Sequence, residues 1–338
     1  MQGGEKTKIL LIRLSSIGDI VLTTPVIRLL RQKYPEAQID YLVKSRFAEL
    51  LQNNPHLTRV LEFPEPGNLG VLRAIWHDIH QQKYNAIIDL HKNVRSLILS
   101  VCQKQEIKAR FRKHGWRRTL LVKFGLDVYA KESSVMLRYI ETTASLGITD
   151  DGEGTELFPP AELLEKIEKR TGLSLPKSQV VVALAPGAAH FTKRWPVENY
   201  KTIAKALVQQ GKKCIILGGS GDQQLSKEVA ATATEIVNFT GQLSLLESAA
   251  VLEKCDRLVT NDTGLMHMAE AVKTPVTAIF GSTVRQLGFY PFLRESRVIE
   301  NETVKCRPCS HVGRQNCPKG HFLCMNSIPP EAVLEKIE

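Results

Sequence analysis

No stretch of this 338-residue chain is apolar over the roughly 18–20 residues that a membrane-spanning helix needs. Residues 1–8 are polar and lead straight into the apolar residues 9–12. The basic, apolar and small-residue regions of a signal peptide are therefore missing, and a cytoplasmic, soluble protein is expected. Short-period repeats and low-complexity tracts are absent too. A composition 43% hydrophobic and 24% charged excludes a disordered or fibrous chain. The length is too great for one small core and suggests two domains. Neither the G-x-G-x-x-G spacing of a dinucleotide fold nor a P-loop follows the first predicted strand, which weakens nicotinamide and ATPase readings.

Positive charge is present in excess, and it is local. The net charge is +10, and residues 104–123 alone carry +7 from Lys104, Lys108, Arg110, Arg112, Lys113, Arg117, Arg118 and Lys123 against the single acid Glu106. A coat for nucleic acid would spread its cations, so no nucleic acid is expected and one anionic docking surface is. A solvated basic loop without a partner is the alternative.

The seven cysteines are odd in number, and Cys306, Cys309, Cys317 and Cys324 cluster near the end. Their C-x2-C-x7-C-x6-C spacing, with His311 and His321 nearby, contains one half of a zinc signature but a second pair too widely spaced. A reduced, packed loop is expected ahead of structural zinc or a disulfide, so no metal is assigned.

Short β-branched runs alternate with amphipathic stretches of helical length, the pattern of parallel sheets with crossover helices. Strands are predicted at 8–14, 39–43, 59–63 and 85–90, with helices reaching 34 and spanning 69–82, 94–102 and 136–146. Pro25 kinks or restarts the first helix. Residues 150–160 break the periodicity as a linker. A second series follows, with strands at 180–185, 213–218, 257–260 and 276–280 and helices at 197–210, 223–233, 245–254 and 265–272. The expected domains are 1–160 and 161–325, both Rossmann-like, with a closing helix in 326–338. In such sheets ligands sit at the carboxyl ends of the strands, here facing a central cleft.

Four loops fall at those strand ends. Ser15-Ser16-Ile17-Gly18-Asp19 offers a glycine for close approach and a carboxylate at a helix start; a plain helix cap is the alternative. The segment from Pro186 to Pro196 holds Gly187, Thr192, Lys193 and Arg194, a diphosphate clamp or a basic loop anchored by Trp195. Gly218-Gly219-Ser220-Gly221-Asp222 suits a ribose or is a capped turn. In Asn261-Asp262-Thr263-Gly264, free N–H groups at a helix start suit a phosphate. His267, one turn on, reaches the same anion or faces the core.

Taken in order, these segments resemble glycosyltransferase family 9, the ADP-heptose:lipopolysaccharide heptosyltransferases. The resemblance covers nearly the whole chain. It rests on ILLIRLSSIGDIVLTTPVIRLLRQKYP, IIDLHKNVRS, LAPGAAHFTKRWP and VTNDTGLMHMAEAVKTPVTAIFGST. It implies a GT-B fold, α/β with two Rossmann-like domains, the first binding the acceptor and the second the nucleotide sugar. The implied reaction is inverting transfer of L-glycero-D-manno-heptose from ADP-heptose to the lipopolysaccharide inner core. Asp19 would be the general base. Lys193 and the amides around Thr263 and Gly264 would stabilise departing ADP without a metal or cofactor. Ser16, Gly18, Gly187 and Thr192 would contact the donor, Asp262 and His267 its phosphates or sugar, and Asp222 its ribose. Two positions depart from the family. Ala188 and Ala189 stand where some members carry hydroxyls, leaving those contacts to backbone or Thr192, and Asp222 stands where a longer Glu occurs.

The same resemblance gives Asp89, His91 and Arg95 to the acceptor. It gives Arg110, Arg112, Arg117 and Arg118 to the acids of a Kdo-lipid A type acceptor on the anionic cytoplasmic membrane surface, each cation contributing about 1 kcal/mol there. Trp116 would insert at that interface or sit in a core. The C-terminal CRPC and CPKGHFLCM resemble members that add the second heptose. A peripheral protein on the inner face of the inner membrane, monomeric, is implied. Rival readings are heptosyltransferase I or a sister transferase with another acceptor or donor. A nicotinamide-dependent oxidoreductase lacks its glycine fingerprint after Leu14 and after Ala185. A non-catalytic anionic lipid- or RNA-binding module leaves Asp19, Lys193 and the helix start at Gly264 without a common reason.

Overall fold

Continuous apolar runs such as Lys8-Ile9-Leu10-Leu11-Ile12 and Val181-Val182-Ala183-Leu184-Ala185 need cover on both faces, which only a parallel sheet flanked by helices supplies. The structure is a computed structural model describing residues 7–101, 105–129, 134–175 and 178–337. Cys102 and Lys104, expected at a helix end and in the basic segment, lie outside the described residues.

The chain divides into two units, Met1–Lys113 with Val135–Phe158 and His114–Ser134 with Pro159–Glu338. The first holds strands β1 (Lys8–Ile12), β2 (Gln38–Lys44), β3 (Arg59–Phe63), β4 (Ala86–Asp89) and β5 (Ile107–Arg110), in the parallel order β3-β2-β1-β4-β5. Its core packs Leu10, Ile12 and Leu42 against Phe63, Ile79 and Leu99. Each such side chain contributes roughly 1.5–3 kcal/mol when fully buried. Register pairs Ile12 with Leu42 on one side and Asp89 on the other, so the loops after β1 and β4 emerge side by side.

The second unit holds β6 (Val181–Ala185), β7 (Lys213–Ile216), β8 (Val237–Asn238), β9 (Arg257–Asn261), β10 (Val276–Phe280) and β11 (Arg297–Glu300), in the order β11-β10-β9-β6-β7-β8. Ala185 pairs with Thr260, and Ile279 with Asn261, which gathers the loops after β6, β9 and β10 at one edge. Trp195 and Tyr200 anchor the core below them.

Of the two readings of Pro25, the restart is the one observed, giving the helices Ile17–Val21 and Thr24–Lys33. Other expectations shift. The stretch read as a linker is fastened to the first unit. Arg28 donates to both oxygens of Asp151, to Glu156 and to the Gly154 carbonyl. The crossing to the second unit then comes at Pro159, and a helix at Ala161–Thr171 begins at once. The basic segment forms β5 and a helix, Gly115–Phe124, rather than a loop, and residues 114–134 join the second unit. Residues 326–337 are no separate cap: Ile328, Val333 and Ile337 belong to the second core, and Trp195 Nε1 donates to the Ile328 carbonyl at 3.0 Å.

Candidate active site

In the first unit the loop after β1 carries Asp19 in the first turn of the helix Ile17–Val21. Its Oδ2 lies 2.6 Å from Arg13 Nη2 and accepts from Ser16 Oγ at 3.0 Å, while Oδ1 accepts from the Tyr139 hydroxyl at 2.8 Å. Burial works against the charge, but the Arg13 guanidinium and the Tyr139 and Ser16 hydrogen bonds outweigh it. The carboxyl is held below its usual range. Burial, then the Asp19 charge, pushes the Tyr139 phenol well above its ordinary value, so it stays a neutral donor. The Asp19 side chain keeps 20% of its surface exposed, which leaves an ionised carboxylate within reach of a ligand.

Arg13 and Tyr139 were not singled out from sequence. Arg13 carried a local signal, a cation at the end of an apolar strand. Tyr139 carried none, lying 120 residues from Asp19. Arg13 also donates to the Ser15 and Leu90 carbonyls at 2.6 and 2.8 Å, locking the loops after β1 and β4 together. The Ser16 hydroxyl, expected on the donor, is exposed and donates to Asp19 within the first unit, where Gly18 also stands.

Asp89, expected to contact acceptor, is buried and committed elsewhere. Oδ1 accepts from the backbone N–H groups of His91 and Lys92, and Oδ2 from Ser96 Oγ and Arg110 Nε. It therefore shapes the loop and holds Arg110. His91 remains beside the site. Burial, with Arg13 and Lys113, pushes its imidazole down to about 4, so it is neutral near pH 7, and its buried Nδ1 has no hydrogen-bond partner. Arg95 and Arg112 are exposed, and Arg95 lies over the Phe63 ring at 5.9 Å. In the second unit Arg117 lies over the exposed Trp116 ring at 5.2 Å, and Arg118 is close enough to His311 to depress its imidazole after burial. Trp116 is thus a surface residue, not a core one.

In the second unit Lys193 Nζ lies 2.6 Å from Asp262 Oδ2, which also accepts from Thr283 Oγ1 at 2.7 Å. Asn261 fastens the loop after β6 by donating to the Pro186 and Gly187 carbonyls and accepting from Trp195 N–H. Thr263 is the N-cap of the helix Gly264–Ala271, with extended backbone and no side-chain cap bond. A Cβ on Gly187 would stand 2.1 Å from Asp222 Cγ, so the glycine makes room for that carboxylate, and Asp222 Oδ2 accepts from Gly219 N–H at 3.0 Å. His267 is buried, its ring 6.2 Å from that of Phe289.

Thr192 does not supply the hydroxyl missing at Ala188 and Ala189. It is buried, donates to Ser282 Oγ at 3.1 Å and accepts from Arg314 N–H at 2.8 Å. Ser282, Thr283 and Arg307 were not singled out either. Arg307, between two of the clustered cysteines, donates to the Gly281, Thr283 and Asn301 carbonyls and pairs with Glu300. The cysteine-rich segment thereby braces the loop after β10 that holds Asp262. Its four cysteines are free thiols. Among the described residues no group of three or more His, Cys, Asp or Glu is arranged to hold a metal.

A family model described as glycosyltransferase family 9 (heptosyltransferase) matches residues 72–319. Lipooligosaccharide heptosyltransferase 2 of Haemophilus influenzae is 27% identical, over 97% of this chain and 98% of its own. Lipopolysaccharide heptosyltransferase 3 of Escherichia coli K12 is 26% identical, over 79% of this chain and 80% of its own. The solved glycosyltransferase family 9 structure from Veillonella parvula aligns with a TM-score of 0.80 at 22% identity, covering 98% of this chain and 95% of that one. The last likeness establishes the fold, two parallel α/β units.

Proposed function

The chain belongs to glycosyltransferase family 9, and on that premise we propose that it moves L-glycero-D-manno-heptose from ADP-heptose to the lipopolysaccharide inner core with inversion. The observation that carries this reading is the Asp19 carboxylate, ionised and part-exposed at the carboxyl end of β1. Asp19 takes the proton of the acceptor hydroxyl while that oxygen attacks C1 of the heptose opposite the diphosphate. The C1–O bond breaks, and ADP leaves with the electron pair. A carboxylate held below its usual range is a weak base towards a free alcohol. The proton therefore moves late in the same step, as C–O bond formation makes the hydroxyl acidic.

Negative charge grows on the departing ADP. Lys193 and the N–H groups at the start of the helix Gly264–Ala271 meet it, already placed before the step. Lys193 is paired with Asp262, so an arriving diphosphate competes for a cation that is already positioned. Asp222 takes the ribose hydroxyls, and Arg95, Arg112 and His91 take the acidic sugars of the acceptor, with Asp89 positioning Arg110. Arg117, Arg118 and exposed Trp116 on the helix Gly115–Phe124 supply a basic surface with an exposed aromatic ring for an anionic membrane on the cytoplasmic side.

The relative named heptosyltransferase 2, matched nearly end to end, supports addition of the second heptose. The test is transfer from ADP-heptose to Kdo2-lipid A and to its mono-heptosylated form, with EDTA present. Turnover on the mono-heptosylated acceptor alone is expected. Turnover on Kdo2-lipid A would assign the first heptose, and failure to bind ADP-heptose would overturn the donor.

A further inference from the structure

The helix Val94–Ser100 presents an apolar stripe outwards. Val94, Leu97, Ile98 and Val101 follow the i, i+3, i+4, i+7 spacing that normally faces a core. Here Ser96 and Leu99 are buried instead, while Val94 is 73% exposed, Val101 57%, and Leu97 and Ile98 40% each. Leu69, at the start of the helix Leu69–Gln82, is 83% exposed and lines an open groove with Val94 and Ile98, and Arg95 stands in the same lining. An exposed apolar set of this kind within one unit marks a partner.

Charge says which partner. Residues 66–77 and 90–101 contain no Asp or Glu, but they carry Arg73, Lys92 and Arg95. Arg73 is exposed one turn after Leu69, on the same side of its helix. Glu65, which lies within electrostatic reach of Arg95, is already paired with Lys44 at 2.6 Å and Arg46 at 3.1 Å. A second copy of this chain would bring Arg73 and Arg95 against their own kind. An apolar stripe whose two segments carry cations and no acid of their own matches acyl chains beneath anionic headgroups.

We propose that this stripe, with Leu69, lies in the interface of an anionic phospholipid leaflet. Val94 and Leu69 enter the acyl boundary, and Arg73 meets phosphates, while Arg95 stays with the acids of the acceptor. The stripe leaves the sheet where β4 ends, beside the Asp19 loop, so a headgroup sugar on a docked lipid would be presented to that carboxylate. This deepens the proposed function and rests on it in expecting a lipid-borne acceptor.

The test is flotation of the full chain with phosphatidylcholine vesicles, with and without phosphatidylglycerol. The variants are Leu97→Asp/Val101→Asp and the milder Leu97→Ser/Val101→Ser, each checked for native circular dichroism. Wild type should float with the anionic vesicles and little with the neutral ones, and the Asp variant should bind them about ten-fold or more weaker, with the Ser variant between. Turnover on a deacylated, water-soluble acceptor should be unchanged in both. Vesicle binding equal to wild type in the folded variants overturns the proposal. So does a wild type that ignores anionic vesicles, or one that instead self-associates through this stripe. Loss of vesicle binding in a chain that turns over no heptosyl donor would keep the docking surface and remove the transfer reading.

Discussion

Arg13 and Asp19 stand 2.6 Å apart across the loop that follows β1, and the same guanidinium fastens the carbonyls of Ser15 and Leu90. The candidate base is thus held from one side by a buried cation and from the other by Tyr139, an arrangement that fixes both its direction and its charge.

Removing the Tyr139 hydroxyl takes away one of the bonds that favours the Asp19 anion. Tyr139→Phe should therefore raise the Asp19 pKa and move the acid limb of the kcat/KM profile to higher pH, with the plateau reduced less than ten-fold. Asp19→Asn should lower kcat by about 100-fold or more while ADP affinity stays within two-fold. A pH–rate series beside ADP titration calorimetry reads both. An unmoved acid limb in Tyr139→Phe would show that another group titrates there.

Gly187 has no space for a side chain, because its Cβ would meet the Asp222 carboxylate at 2.1 Å. Gly187→Ala should displace Asp222 and weaken ADP binding by about ten-fold, as loss of a positioned polar contact does. Gly221→Ala, where an added Cβ meets nothing within 4 Å, should bind like wild type. Equal ADP affinity in the two variants would remove Asp222 from the donor site.

Arg307 is buried against Glu300 and four backbone carbonyls, those of Gly281 and Thr283 lying in the loop that holds Asp262 through Thr283. Arg307→Met should cost about 3–5 kcal/mol in urea unfolding by stranding Glu300. Adding Glu300→Gln should restore much of that stability but not ADP affinity, since the carbonyl bonds are still missing. Recovery of both together would make Arg307 a stability residue alone.

His91 binds its proton less readily in the folded chain, at about 4 against an ordinary 6.5, because burial and then Arg13 and Lys113 oppose the charge. The unfolded chain therefore takes up the proton first. Stability is complete above the ordinary value and falls as pH drops from there to about 4, by up to about 2 kcal/mol for a ring that is part-exposed. From neutral to acid pH, wild type should lose up to about 2 kcal/mol more unfolding free energy than His91→Gln, whose side chain does not titrate. A constant gap between them would refute the shift.

What the amino-acid sequence determined by itself was whatever neighbours along the chain decide. Short apolar, β-branched runs marked eight of the eleven strands of the two sheets, and glycines, Asp19, Asp222 and the helix start at Gly264 marked the loops at their carboxyl ends, because turn chemistry and helix-end N–H groups are local. Three strands escaped. β5 hid among cations, β8 has two residues, and β11 is only half-buried, so none shows a continuous apolar run.

Tertiary structure decided which of those loop residues are free to act. Asp89 and Thr192 carry the right chemistry, yet distant partners occupy them, Arg110 in one case and Ser282 with Arg314 in the other. Tyr139 and Arg307 reach the site from far along the chain, where no spacing rule operates. The helix Val94–Ser100 makes the same point. Its periodicity announces an apolar stripe, but a period of 3.6 is identical whether the stripe faces a core or the solvent. Only the packing of Ser96 and Leu99 inwards turned Val94, Leu97 and Ile98 out.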